Sequence, residues 1–213
     1  MLAGRTRVRA GEAMDFASHI KKPERAEYPA LTSIWAAAVR ATHHFLSETD
    51  FQDIHAQVCS KYLPAMDLYA FYYPGPMAAG LDKAAAGCAV WPGSGALPEN
   101  GLCAGFIGRS SITPDAAARL ARAGLARVPA IQVETLFVDP AFHCRGIGRA
   151  LLDFTRRDYP CIFLDVNEQN AAAACFYAHY GFTTIGRSEL DGQGRAYPLL
   201  HLYYQAPGLC PLS

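Results

Sequence analysis

The stretch 137-FVDPAFHCRGIGRALLDFT-155 runs from a strand-like apolar segment through Asp-Pro into Arg-Gly-Ile-Gly at the mouth of an amphipathic helix. Glycine lets a backbone approach a ligand with no Cβ in the way. The first N–H groups of a helix lack internal partners and sit at the positive end of its dipole. Arg145 and Arg149 add charge on the same rim. Such an arrangement suits an anion, most often a phosphate. Gly-x-Gly alone fits a bare strand-to-helix turn equally well. Among nucleotides, a nicotinamide dinucleotide is favoured by Asp165, which ends the next strand 19 residues after Gly146. Against it, Leu151 stands where a third glycine belongs, and no repeating βαβ lead-in precedes the loop. Coenzyme A is the other candidate, and the downstream residues decide between them.

Those residues are 167-NEQNAAAACFYAHYGF-182. With R-G-x-G-x-A at 145–150, they resemble the GNAT superfamily of N-acetyltransferases. Its two signatures are a Q/R-x-x-G-x-G/A loop and N-x-x-A-x-x-F-Y-x-x-x-G-F. Asn170, Ala173, Phe176, Tyr177, Gly181 and Phe182 match the second position by position. The runs 34–47, 166–170 and 186–200 further resemble the small bacterial YjaB-type proteins, regarded as peptidyl-lysine N-acetyltransferases. The resemblance spans roughly 15–205 and is specific from 131 onward. It departs at His143, where Gln or Arg usually opens the loop, at the extra residues 1–14, and at two segments that look like insertions, 75–101 and 111–129.

The resemblance implies an α/β (α+β) fold with a central, mixed but mostly antiparallel sheet and flanking helices. It also implies acetyl-CoA as co-substrate, with no metal. The pyrophosphate would sit on His143, Cys144, Arg145, Gly146, Ile147, Gly148, Arg149 and Ala150. The strand at Leu136, Phe137 and Val138 would splay and offer a backbone N–H to the developing oxyanion. Asn167, Asn170, Ala173 and Tyr177 would complete the pocket, although Asn170 also suits a helix N-cap.

Acetyl transfer to an amine has two proton problems. A lysine-like amine with pKa near 10.4 must lose a proton, at roughly 4 to 5 kcal/mol at pH 7, and the departing thiolate must be helped by an acid. Tyr177 is the acid implied by the family's matching tyrosine. Strand alternation would put Glu134 on one face with Leu136 and Val138, and some family members carry a carboxylate there, so Glu134 is the candidate base. His43, His44 and Phe45, in the THHFLS run, would border the acceptor. The acceptor is then a primary amine on a small molecule or peptide, attacked directly in a ternary complex. An acyl-CoA sensor without turnover is the alternative.

The elements that must position these groups follow from periodicity. DFASHIKK (15–22) suggests a short strand. A helix runs from Pro23 to about 41 on Leu31, Ile34, Trp35, Ala38 and Val39, and another follows SETD on Phe51, Ile54, Val58 and Tyr62 until Pro64. Strands are expected at 66–74, 101–110, 131–140 and 161–166, with GCAVW a further strand inside a long 75–101 loop. Helices are expected at 113–129, 146–158 and 170–181. FTTIGRSE and PLLHLYYQ form a hairpin around the turn-rich LDGQGRAY.

The bulk numbers are permissive. A chain of 213 residues, half of it apolar, suits one domain from about 15 to 206 behind a disordered 1–14. Lys+Arg and Asp+Glu are 19 each, a neutrality that argues against nucleic-acid binding. No run approaches a membrane span, and the first residues lack the apolar core of a secretory signal. A cytoplasmic monomer or homodimer is expected. The seven cysteines have no CxxC spacing and are expected to be reduced and mostly buried. His55-x-x-x-Cys59 has no second spaced pair to make a zinc site.

Overall fold

The protein is described by a computed structural model covering residues 15–73, 101–125 and 130–208. Seven strands form one sheet: β1 (Ile20–Lys21), β2 (Asp67–Tyr73), β3 (Leu102–Ser111), β4 (Ala130–Val138), β5 (Cys161–Asn167), β6 (Thr183–Ser188) and β7 (Leu199–Gln205). Their order is β1-β2-β3-β4-β5-β7-β6. Every neighbouring pair is antiparallel except β4 with β5. This mixed sheet matches the expected fold class. It excludes the doubly wound parallel sheet that a nicotinamide dinucleotide fold requires.

Among the described residues, five α-helices cover the two faces. Alternation along β2 sends Leu68, Ala70 and Tyr72 to one side, where they bury the stripe Leu31, Ile34, Trp35 and Val39 of α1 (Tyr28–Thr42) and Phe51 of α2 (Glu48–Gln57). Phe71 and Tyr73 point the other way. They join Ile131, Val133, Ile162, Leu164 and the stripe Ile147, Leu151, Leu152 of α4 (Ile147–Asp158), with Tyr177 of α5 (Ala171–Tyr180). A third cluster packs Ala116 and Leu120 of α3 (Pro114–Arg122) on Cys161, Phe163 and Tyr203, on the α1 side of the sheet.

Several local expectations need correction. Residues 16–19 form a 3-10 turn, not a strand, because the Asp15 carboxylate accepts the Ala17 N–H and starts a turn; only Ile20 and Lys21 pair. The first helix begins at Tyr28, not Pro23. A 3-10 turn at Arg25–Glu27, closed by reciprocal Glu24 and Glu27 bonds, intervenes, and Pro29 opens the helix instead. After α2 the chain widens into a π turn at Val58–Tyr62, and Pro64 lies inside a following 3-10 turn. α3 stops at Arg122, ahead of Gly124 at φ +77°; residues 126–129 lie outside the described residues, as do the expected GCAVW strand and 74–100. Of the five described cysteines only Cys161 is buried, and Cys144 and Cys175 are exposed.

The feature that shapes the site lies in β4. Gly108 pairs with Thr135 but Arg109 with Val133, so Glu134 is an extra residue, a β-bulge. The bulge flips the parity of the strand. Val133 faces α4 before it, Leu136 and Val138 after it, and Phe137 faces α1. Glu134 therefore does not share the face of Leu136 and Val138, as simple alternation predicted. The parallel pairing with β5 covers only 130–133 against 161–164, and beyond it the two strands diverge.

Candidate active site

The divergence opens a cleft of about 540 Å³ through the sheet. One wall is β4 from Val133 to Val138, the other is β5 from Leu164 to Asn167, and α4, α5 and the end of α1 close it. Asp139 donates its N–H to the Ala104 carbonyl, so the odd residues of this strand end bond to β3. By alternation, the N–H groups of Leu136 and Val138 point to the β5 side, where no ladder partner meets them. The Val138 carbonyl accepts from the His143 ring, Nε2 to O 3.1 Å.

At the α4 end, Cys144 at φ +58° and Gly146 at φ +81° turn the loop so that the helix begins without a side-chain cap. The first helical bond is from Ala150 N–H to the Gly146 carbonyl, leaving the N–H groups of Ile147, Gly148 and Arg149 available to an anion. A Cβ on Gly148 would lie 3.3 Å from Phe176 Cζ and 3.9 Å from Val138 Cγ2, so a side chain there would crowd the floor of this cradle.

Most of the predicted residues meet here. Glu134, Leu136, Phe137, Val138, His143, Cys144, Gly146, Ile147, Gly148 and Arg149 line the cleft, with Asn167, Asn170, Ala173, Tyr177 and His43. Others do not. Arg145 turns away to pack its guanidinium on Tyr73 and Phe142, 5.9 and 5.8 Å from their ring centres. Ala150 lines a neighbouring groove with Phe16 and Arg157. His44 and Phe45 lie off the cleft wall; Phe45 packs on His43 and on Tyr197, at 5.3 and 5.9 Å.

The side chains differ in how they are held. Asn170 caps α5, its carboxamide oxygen accepting the Ala173 N–H at 3.1 Å, so the N-cap reading describes what it does in the fold. Tyr177 is 8% exposed, set edge-on between Phe176 and Phe182, and burial pushes its phenol well above the usual tyrosine range. Its hydroxyl has no hydrogen-bond partner among the described residues. Glu134 is exposed and accepts from Ser110 Oγ at 2.5 Å. Burial also holds the His43 imidazole below the usual histidine value, and its ring meets Thr42 Oγ1 at 2.8 Å.

Sequence reasoning passed over Asp165 as a group for this cleft. Asp165 is the one carboxylate in the otherwise apolar run CIFLDV, and that break in an apolar strand was the available signal. It lines the cleft on the same sheet face as α1 and α3. Two carboxylates, Glu134 and Asp165, thus share the cleft with Tyr177 and the open edge of β4.

Known proteins resemble this chain in sequence and in fold. The sequence model of the acetyltransferase (GNAT) domain matches residues 99–184. The chain is 29% identical over 188 residues to the peptidyl-lysine N-acetyltransferase YjaB of Escherichia coli strain K12, covering 87% of this chain and 95% of that protein. The solution structure of apo YjaB from Escherichia coli superposes with a TM-score of 0.62 at 28% identity, covering 88% of this chain and 97% of that one. A PaiA N-acetyltransferase from Thermoplasma acidophilum, solved with coenzyme A, shares the fold at a TM-score of 0.56 and 14% identity, over 87% of this chain and 97% of its own.

Proposed function

We propose that the chain, which matches the acetyltransferase (GNAT) domain over residues 99–184 and is similar to YjaB over most of its length, is a GNAT-superfamily N-acetyltransferase whose cleft binds acetyl-CoA and passes the acetyl group directly to a primary amine. The observation that carries this reading is the joining, in one cleft, of an uncapped glycine-bearing helix start, an unpaired strand edge, a buried tyrosine and two carboxylates. Acetyl-CoA supplies the acyl group already activated as a thioester. The residues present fit it: the N–H groups of 147–149 suit a pyrophosphate, and the open edge of β4 suits the amides of a pantetheine arm.

Leu136 and Val138 offer backbone N–H groups to the oxygen that gains charge as the amine attacks. Tyr177 donates to the departing sulfur. Glu134 and Asp165, on the face away from α4, are the two groups able to take the amine's proton. The acceptor accordingly enters beside the end of α1, past His43, while the nucleotide lies on the α4 and α5 side. Names of the relatives point to a lysine side chain in a peptide as one acceptor class, beside small amines.

A panel of lysine peptides and small amines, followed by free-thiol release from acetyl-CoA, tests the reading. Turnover with at least one primary amine is expected, along with coenzyme A binding by calorimetry. Binding without turnover of any amine would leave a sensor, and failure to bind coenzyme A would overturn the reading.

A further inference from the structure

Asp165 stands directly opposite His201 in the β5–β7 ladder, and its Oδ1 lies 2.6 Å from His201 Nδ1. On the far side of the ring, His201 Nε2 meets Ser188 Oγ at 2.7 Å. The imidazole is buried, 2% exposed, and stacks on Phe163. Its seat depends on Gly186, the β6 partner of His201, where a Cβ would come within 3.2 Å of the ring. Arg119 of α3 approaches from above, with Nη1 2.7 Å from His201 Nδ1 and 3.6 Å from Asp165 Oδ2, while its Nη2 pairs with Asp115.

A ring nitrogen carries either one hydrogen or one lone pair, so Nδ1 cannot both donate to Asp165 and accept from Arg119. An ionised carboxylate can only accept. Satisfying Asp165 therefore puts the hydrogen on Nδ1 and leaves Nε2 to accept from the Ser188 hydroxyl. Arg119 then serves the carboxylates of Asp165 and Asp115. This chain of donors fixes the rotamer of Asp165, whose side chain remains 29% exposed where it lines the cleft. Glu134 has no such support: among the described residues its one hydrogen-bond partner is the half-buried Ser110.

We propose that His201, its Nδ1 donating to Asp165 and its Nε2 held by Ser188, is a positioning residue that aims Asp165 at the acceptor amine, making Asp165 the carboxylate that takes the amine's proton. The inference rests on the acetyl-transfer reading above. In the step, R–NH3⁺ gives one proton to Asp165, and the freed nitrogen lone pair forms the N–C bond to the acetyl carbon. The C–S electron pair leaves on sulfur, which takes a proton from Tyr177. The second amine proton restores the phenol, and the Asp165 proton goes to solvent. The charged and titratable groups at Asp165 are His201 and Arg119, with Asp115 behind Arg119; Glu134, His43, Tyr177, His143, Cys144 and Arg149 lie elsewhere on the cleft wall.

The test is the pH profile of kcat/KM for a primary amine in the wild type and in Asp165→Asn, His201→Gln, His201→Asn, Ser188→Ala and Glu134→Gln. Asparagine carries an N–H near the place of Nδ1, whereas glutamine carries its own nearer Nε2. Asp165→Asn is expected to lose about 100-fold or more at pH 7 with coenzyme A affinity unchanged. That loss should shrink as pH approaches the amine's own pKa, where no base is needed. His201→Gln should lose about tenfold, His201→Asn should recover most of it, and Ser188→Ala should fall between them. A merely structural His201 would give equal losses in Gln and Asn, tracking thermal stability with no change in pH profile, and that overturns the inference. So does a pH-steepened loss in Glu134→Gln that is missing from Asp165→Asn. Absence of wild-type turnover with every amine would remove the acetyl-transfer reading and this inference with it, a result distinct from both.

Discussion

A tyrosine can bury its ring in a core and still present its hydroxyl to a cleft. Tyr177 does this: its ring lies between Phe176 and Phe182 while the residue lines the cleft, and its hydroxyl, without a partner among the described residues, is free to meet a group that arrives with the substrate. Its raised pKa also limits what it can do. A phenol held well above its usual range is a weaker acid than the thiol it would make, since an ordinary thiol has a pKa near 8.5. In the proposed step Tyr177 would therefore give its proton to the sulfur only as the second amine proton replaces it, and water could partly stand in for it. Tyr177→Phe should lower kcat by about tenfold to a hundredfold, the low end for acid catalysis, and leave coenzyme A affinity nearly unchanged. The same change should leave the thermal midpoint near that of the wild type, because the ring keeps its packing on Phe176 and Phe182. The sign with pH is also set. Because the folded pKa is raised, the stability linked to this group is complete below about pH 10, the unfolded value, and is lost as pH climbs toward the folded one. Tyr177→Phe should remove that alkaline sensitivity. Steady-state kinetics with thermal unfolding at neutral pH and above pH 10 measures all three, and wild-type kcat in the variant would reassign the acid.

At the level of elements, β4 and the start of α4 make the site, and they differ in how far the sequence disclosed them. The α4 start was legible because Gly146, Gly148 and the following apolar stripe are local signals, each acting over a few residues. Gly148 is the sharper of the two glycines: Phe176 already lies 3.3 Å from where its Cβ would be. Gly148→Val should therefore weaken coenzyme A by at least about tenfold, or ~1.4 kcal/mol, with kcat at saturation changed much less. A calorimetric titration giving wild-type affinity would remove the loop from the binding site. The β4 bulge was not legible. Nothing in IQVETLFV marks Glu134 as the extra residue, because a bulge is defined by the partner strand's register, here Gly108 and Arg109 of β3. Period-2 reasoning thus put Glu134 on the wrong face while placing Leu136 and Val138 together correctly. Arg145 failed for a similar reason. Its place beside the glycines suggested an anion, but Tyr73, far away in sequence, offers the guanidinium an aromatic face.

Across the whole molecule, the side of the cleft proposed for the acceptor is tied together by the connection between β6 and β7, which reaches over to α2. The Tyr197 hydroxyl donates to Asp50 Oδ2 at 2.5 Å and accepts the Ser47 N–H at 3.1 Å. Arg195 pairs with Asp50 at 3.2 Å, and Gln193 donates to the Tyr62 hydroxyl at 2.6 Å. The sequence marked LDGQGRAY as a turn between two strands, but its docking on a helix some 150 residues earlier leaves no local trace. The consequence for function runs through aromatic contacts. Tyr197 supports Phe45, Phe45 supports His43, and His43 lines the cleft where the amine would enter. Tyr197→Phe keeps the ring but removes both hydrogen bonds, so the strap should loosen while the nucleotide side, built from β4, α4 and α5, stays intact. The expected result is a severalfold rise in KM for the amine, with coenzyme A affinity and kcat near the wild-type values. Initial-rate measurements varying each substrate in turn would show it. Should the variant instead lose coenzyme A affinity with an unchanged amine KM, the strap would belong to the nucleotide side, and the placement of the acceptor beside α1 would fail.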